Sequence, residues 1–353
     1  MLFRQLFDAE SSTYTYLLAC AETREAVVID PVYEQHSRDM ALIRELGLNV
    51  RYAIDTHVHA DHVTGAWLLH KALGACNVVS ANSGAVGAQR EVDEGDVLTF
   101  GGCSLDVRAT PGHTDGCLTL VTREQDMAFT GDCLMIRSAG RTDFQAGDVH
   151  RLWRSIREKI FTLPDECLVY PGHDYLGRTV STVAEEKQFN PRIGGDAREE
   201  DFVGYMENLG LPHPRHMEIA VPANMECGKP ADGQLPEQAG WGPVTMTFAG
   251  VPEVPPEWVA TNLDNLLVLD VRRPEETDGE LGRIGGSRLI PLDELRDRLD
   301  EVPQDRPVVT LCQSGKRSAL AAGILLQSGF EQVANISGGL IQWSRLGLPA
   351  QVC

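Results

Sequence analysis

The stretch Thr56–His62, THVHADH, brings His57, His59, Asp61 and His62 close together in the chain. Imidazoles and carboxylates at this density are ligands for a divalent metal, and the small residues between them do not make a helix face. Three further motifs carry the same chemistry: PGH ending at His113, TGD ending at Asp132 and PGH ending at His173. Towards the other end, CQSGKRS places Cys312 at the head of a short loop with Lys316 and Arg317. Backbone amides and cations in such a loop favour a thiolate, the reactive form of cysteine.

Elements must position these groups, and each histidine or aspartate motif follows a β-rich run. VRYAID leads into His57, His59, Asp61 and His62; SLDVRAT leads into His113, MAFTG into Asp132 and CLVYPG into His173. EAVVIDP and CLTLVT read as further strands, and helices are expected over 37–46, 62–73 and 148–160, the last from Leu152, Ile156 and Ile160 at spacing four. Four strand ends can converge on one sheet edge, which makes a metal centre; spacing alone leaves one metal or two open. His36, His70, His150, His213 and His216 stand alone and read as ordinary core or surface residues.

A second organisation begins after CGKPADGQLPEQAGWGP, a Gly/Pro-rich linker over 227–243, so domains are expected at 1–226 and 244–353. In the second, NLLVLDVR and PVVTLC are buried-type strands, and SALAAGILLQSG is an apolar helix that follows the Cys312 loop. Strand, tight loop and helix make an anion cradle.

Composition narrows the partners. The chain has 353 residues, 51 acidic against 31 basic, and a formal net charge of -20. That surface repels nucleic acid and anionic membranes and leaves small molecules as partners; a homo-oligomer is compatible with it. Nine cysteines, an odd number without a CxxC pair, indicate reduced thiols in a cytoplasmic protein. No secretory signal is evident, and the longest apolar run, ALAAGILL, is far short of the ~20 residues of a membrane span.

HxHxDH, PGHT, TGD and PGH in this order resemble the metallo-β-lactamase superfamily over about the first two thirds of the chain. The resemblance implies an αββα sandwich with its metal at one edge of the sheets. A hydrolase resembling glyoxalase II would hold one metal with His57, His59 and His113 and another with Asp61, His62 and His173, Asp132 bridging, and would act as a binuclear glutathione thioesterase. GRTDFQ at 140–145, the run from Glu158 to Lys187, NPR and VPANMECG more closely resemble the persulfide dioxygenases. Gly172 stands where the animal members are expected to carry alanine. That branch implies one iron(II) per chain on His57, His113 and Asp132, with His59, Asp61, His62 and His173 orienting the ligands by hydrogen bonds. It also implies Arg141 and Tyr175 as glutathione contacts, with Asp143 and Phe144 shaping the pocket.

The Cys312 loop, with LDVR before it and SGG, Trp343, Gly347 and Pro349 after it, resembles the rhodanese family. A phosphatase loop of this kind has one more residue between cysteine and arginine; the shorter ring suits a terminal sulfur. The resemblance implies an α/β fold with a parallel sheet, in which Cys312 carries a sulfane sulfur, Lys316 and Arg317 support the anion, and Asp270 and Arg272 hold the loop. Together the two domains imply a bifunctional enzyme of glutathione persulfide, O2, sulfite and thiosulfate. A persulfide sensor is the reading outside enzymology.

Overall fold

The computed structural model describes all residues except 213, 215, 236–239, 352 and 353; His213 and one cysteine, Cys353, thus lie outside the described residues. The chain folds as two compact units, divided between residues 235 and 236.

Two six-stranded sheets build the first unit. One runs in chain order through β1 (Leu2–Phe7), β2 (Tyr14–Ala19), β3 (Glu25–Ile29), β4 (Asn49–Ile54), β5 (Cys76–Ser80) and β6 (Arg90–Val92). The other contains β7 (Val97–Phe100), β8 (Cys103–Ala109), β9 (Leu118–Thr122) and β10 (Met127–Gly131). After a small hairpin, β11 (Leu134–Met135) and β12 (Ser138–Ala139), it continues with β13 (Leu168–Pro171) and β14 (Ser181–Thr182), in the order 14-13-10-9-8-7. β3, β4, β5 and β6 pair in parallel, as do β10 and β13.

Alternation along the strands separates the layers. Tyr16, Leu18, Val27 and Ile29 of the first sheet meet Phe100, Leu105, Leu120, Phe129 and Tyr170 of the second, all buried between the sheets. The Phe129 ring lies 4.9 Å from Tyr16 and stacks on Tyr170 at 5.4 Å. On the outer faces, Leu17, Val28 and Ala53 pack against Leu42, Ile43 and Leu69 of helices His36–Glu45 and Ala66–Leu73. Val121, Ala128 and Val169 pack against Leu152, Ile156 and Ile160. These three belong to helix Val149–Arg154 and to its continuation, Ser155–Ile160, as wider π-helical turns. The layers are helix, sheet, sheet, helix.

The helix expected from residue 62 begins instead at Ala66. His62 and Thr64 are drawn out of helical geometry by side-chain partners: the Thr64 hydroxyl donates to Asp55 at 2.7 Å, and Asn224 donates to the carbonyls of His59 and His62. Cys227, expected to start the linker, is buried in the first unit with Val58, Val79 and Ala85.

The second unit has one sheet: β15 (Thr245–Met246), β16 (Pro252–Val254), β17 (Leu267–Asp270), β18 (Arg288–Leu289), β19 (Val308–Leu311) and β20 (Val333–Ile336), in the order 15-16-20-19-17-18. All pairings are parallel except that of the edge strand β15. Leu269, Val308, Ala322 and Leu325 fill one side, Val309, Ile336, Leu340 and Trp343 the other.

Phe129 lies at the centre of the sandwich without exposure. Phe129→Ala should therefore destabilise the first unit by about 3–5 kcal/mol, read as a lower denaturant midpoint in equilibrium unfolding.

Candidate metal centre and thiol loop

Three residues from three strand ends form one cluster of acid and imidazole groups. His57 follows β4, His113 follows β8 and Asp132 follows β10; all are buried, and their ligand atoms lie within 4.8 Å of one another. His59, Asp61, His62 and His173 form a second such set, and Asp30, Asp55 and His59 a third.

Hydrogen bonds fix what the first set offers. Asp30, at the end of β3 with a left-handed φ of 50°, accepts the Thr56 amide at 2.7 Å and the Thr56 hydroxyl at 2.9 Å. Because that hydroxyl proton is spent on Asp30, the Thr56 oxygen accepts from His57 Nδ1–H at 3.0 Å. His113 Nδ1–H donates to the carbonyl oxygen of Arg141 at 2.6 Å. Both imidazoles therefore carry their proton on Nδ1, pointing away, and keep the Nε2 lone pair for a ligand. Asp132 Oδ1 accepts from His173 Nδ1 at 2.7 Å, while Oδ2 lies 3.7 Å from His113 Nε2. The residues present fit a divalent metal.

Electrostatics agree with this arrangement. Burial, with His59 and His113 close by, holds the His57 ring well below the ordinary imidazole range and so neutral. Burial alone would raise Asp132, yet His173, His113 and His57 bring its carboxyl well below the usual range. Burial would likewise lower His173, but Asp132 and Asp61 on its two sides raise it well above. Burial lifts Asp55 to about 7.

Arg141 and Tyr175 stand near the cluster in different states. The Arg141 guanidinium is paired with both oxygens of Asp143, at 2.6 and 2.7 Å, and donates to the carbonyls of Leu211 and Pro212. It lies over the Phe144 ring at 5.1 Å, and Phe144 itself meets His113 edge-on. Tyr175 is 69% exposed and stacks on His173 at 6.1 Å. Of the solitary histidines, His70 donates through Nδ1–H to the Ala75 carbonyl at 2.8 Å, and His150 pairs with Glu199. Sequence reasoning passed over Asp30, Thr56, Thr13 and Asn224; only Asp30 carried a visible signal, an acid at the end of a β-rich run like the ligands themselves.

In the second unit, Cys312 is buried at the end of β19, and its sulfur accepts from the amide and hydroxyl of Ser318 at 3.4 and 3.3 Å. Burial would push the thiol up, but these donors and the amides of Ser314 and Gly315 bring it below its ordinary value. Gly339 packs so closely that a Cβ there would lie 2.5 Å from the Cys312 carbonyl oxygen. Lys316 is exposed at the first turn of helix Lys316–Gln327, and Arg317 is paired in a fork with Glu276 at 2.6 and 2.7 Å. Arg272, buried, binds Asp270 through Nε and Nη2 and reaches the carbonyls of Glu276 and Gly282, so the pair holds the segment that presents Glu276. The eight cysteines among the described residues are free.

The fold and its buried ligand cluster define a metallo-β-lactamase domain, and the chain matches the Metallo-beta-lactamase superfamily model over residues 9–173 and the Rhodanese-like domain model over 255–346. It is 55% identical to Persulfide dioxygenase ETHE1, mitochondrial, of Mus musculus over 229 residues, which is 65% of this chain and 89% of that protein. The Homo sapiens protein of the same name is 54% identical over the same length. Among solved structures, ETHE1 from Myxococcus xanthus is 51% identical with a TM-score of 0.63, covering 65% of this chain and all (100%) of that one. A metallo-β-lactamase from Staphylococcus aureus is 25% identical with a TM-score of 0.61, covering 96% of this chain and 98% of that one. The chain belongs to the persulfide dioxygenase family, with a rhodanese-like domain following the family's own. Among the described residues no helix is long and apolar enough to cross a membrane.

Two outcomes test this geometry. A Cβ at Gly140 would meet the Asp132 carbonyl oxygen at 2.2 Å and the His113 ring at 2.8 Å, so Gly140→Ala should lower bound metal severalfold, measured by elemental analysis of the purified chain. Ser318→Ala removes a donor to the Cys312 sulfur and so raises the thiol pKa. Since the thiolate is the reactive form, the acid limb of the thiol's alkylation rate should move to higher pH. The variant should be slower at neutral pH and approach wild type in alkali.

Proposed function

We infer that the chain is a bifunctional sulfur enzyme: a persulfide dioxygenase with one iron(II) per chain on His57, His113 and Asp132, joined to a sulfurtransferase centred on Cys312. The observation that carries the first half is the paired Nδ1–H arrangement of His57 and His113, which leaves two imidazole lone pairs and one carboxylate oxygen facing one point. Membership of the persulfide dioxygenase family supports the substrate class. Iron(II) in such a two-histidine, one-carboxylate site supplies redox chemistry and open positions for sulfur and O2, which zinc does not. The net reaction takes glutathione persulfide, O2 and water to glutathione and sulfite.

The chain's own residues do the rest. His173 holds Asp132 in place through the 2.7 Å hydrogen bond. Tyr175, exposed beside it, offers a phenol to glutathione, and Arg141 offers a guanidinium once a substrate carboxylate displaces Asp143. In the second unit the Cys312 thiolate attacks the outer sulfur of thiosulfate, breaking its S–S bond and releasing sulfite. The Cys312 persulfide then passes that sulfur to the glutathione thiolate, giving glutathione persulfide and restoring Cys312. Run backwards, the same steps consume sulfite and make thiosulfate. Lys316 and Arg317 balance the anion's charge at the loop. The two activities are assigned to 1–226 and 244–353, and the chain is taken as cytoplasmic, acting on small molecules.

A second reading rests on one observation: the ligand atoms of Asp61, His62 and His173, which would hold the second metal of a binuclear glutathione thioesterase, also converge, with His59 among them. Iron content with oxygen uptake on glutathione persulfide separates the two. One iron per chain with uptake supports the dioxygenase; two metals without uptake overturn it. His113→Ala should lose iron and oxygen uptake together while thiosulfate sulfurtransfer survives. Cys312→Ser should lose that transfer and keep the oxidation of added glutathione persulfide near the wild-type rate.

A further inference from the structure

Two cysteines that neither centre uses meet at the edge of the sandwich opposite the metal ligands. Cys103 opens β8, whereas His113 lies beyond its far end. Cys20 follows β2, and because β2 runs antiparallel to β3 and β3 parallel to β4, it lies at the end where β4 begins, away from His57. Side chains alternate along a strand. Leu18, two residues before Cys20, and Leu105, two after Cys103, lie in the layer between the sheets, and Cys103 itself packs against that layer. Both thiols therefore turn inward, one from each sheet.

The turn between β7 and β8 closes over Cys20. The Gly102 amide donates to the Cys20 sulfur at 3.4 Å, and a Cβ at Gly101 would lie 2.9 Å from that sulfur, so the turn needs its glycine. The Thr23 hydroxyl and the amides of Thr23 and Glu22 face the sulfur from its own loop, and the Cys103 S–H donates to it. Glu25 latches the two turns together, accepting from the Gly101 amide at 2.5 Å and from Arg51 at 3.0 Å. Cys20 is only 5% exposed, yet Ala21, Glu22, Thr23, Gly101 and Gly102 around it are all exposed, so the thiol lies just under the surface. The Thr23 hydroxyl and the amides bring the Cys20 thiol down to about 6, while burial and the neighbouring sulfur push Cys103 up. A thiolate beside a thiol is the arrangement in which one sulfur attacks an S–S bond and the other resolves the product.

We propose that Cys20 and Cys103 form a dithiol site that takes the outer sulfur of a small persulfide and reduces it to hydrosulfide, closing a disulfide between the two sheets. The Cys20 thiolate attacks the outer sulfur of glutathione persulfide, the S–S bond breaks, and glutathione leaves as its thiolate. Cys103 then attacks the inner sulfur of the Cys20 persulfide, loses its proton and expels hydrosulfide. The two electrons that reduce the sulfur come from the dithiol, which becomes the Cys20–Cys103 disulfide. Two molecules of glutathione reopen it and leave as glutathione disulfide. The tight turn selects the electrophile: the outer sulfur of a persulfide carries only a proton on the side that meets Cys20, whereas either sulfur of a glutathione disulfide carries a tripeptide. The site takes its substrate from the persulfide reading of the chain and is independent of how many metals the other edge holds.

The test uses the full-length chain with Cys312→Ser, which removes the other sulfur-accepting thiol, without O2 so that no dioxygenation runs. The protein is mixed with glutathione persulfide or with glutathione disulfide, alkylated and digested, and its cysteine peptides are mapped by mass spectrometry. With the persulfide, Cys20 and Cys103 should be recovered as one linked peptide pair, and one hydrosulfide per chain should be released above the level given by Cys20→Ser. Cys103→Ser should stop at one added sulfur on Cys20. Reaction with glutathione disulfide should be several times slower. Mapping the two cysteines needs no substitution at either, so it serves even where a variant does not fold. Free thiols at Cys20 and Cys103 after persulfide treatment overturn the proposal, and equal or faster reaction with glutathione disulfide overturns the assignment to persulfide. Oxygen uptake by the unsubstituted protein on the same persulfide in air reports on the dioxygenase reading separately, so uptake with both thiols free sinks the dithiol site alone.

Discussion

A buried imidazole can serve a metal only when its other nitrogen has a partner, because an unsatisfied N–H in the interior costs about 1–3 kcal/mol. The two bonds from Thr56 to Asp30 meet that condition for His57. Asp30 adopts its left-handed bend where β3 ends, and the parallel neighbour β4 delivers Thr56 to it. Around this pair the rest of the edge is arranged: the Arg141 carbonyl does for His113 what Thr56 does for His57, and His173 donates to Asp132.

The second unit solves a different problem with similar means. A thiolate at the end of β19 is stabilised by amides of its own loop and by the Ser318 hydroxyl, so little depends on distant residues. Its cation is more constrained. Arg317 faces Glu276, which is presented by the segment that the buried Asp270–Arg272 pair holds. An anion arriving at the loop competes with a carboxylate already in place, and the charge available to it is set by that competition.

Much of this was legible in the order of residues. Ligands fall directly after β-rich runs, so the pattern that marks the strands also marks the edge where they end. The thiol loop is local in sequence, and strand, loop and helix appear as read. What escaped reading depends on partners far along the chain. Asn224 holds the loop after β4 from 160 residues away, which is why the helix begins at Ala66 and not at His62. Thr13 looks like an ordinary hydroxyl between two strands; its place follows from the bend at Ser12 and the clamp from Asp8, neither of which leaves a periodic trace. Arg141 came from the family resemblance and not from any pattern in the residues, and its partner Asp143, two residues on, makes the clamp an occupied one.

The two sheets of the first unit are drawn from separate stretches of chain, residues 2–92 and 97–182, with little more than a turn between them. His57 belongs to the first stretch, His113 and Asp132 to the second. An ion gripped by all three is therefore a cross-link between halves that otherwise adhere through the apolar layer between the sheets and a few hydrogen bonds, such as that from the Tyr14 amide to the Gly172 carbonyl. Free metal at a concentration a thousandfold above the dissociation constant adds about 4 kcal/mol to such a fold. Chelation would then act as a mechanical loosening of the sandwich at the edge where the ligands meet, so resistance to heat and proteolysis should report on metal supply.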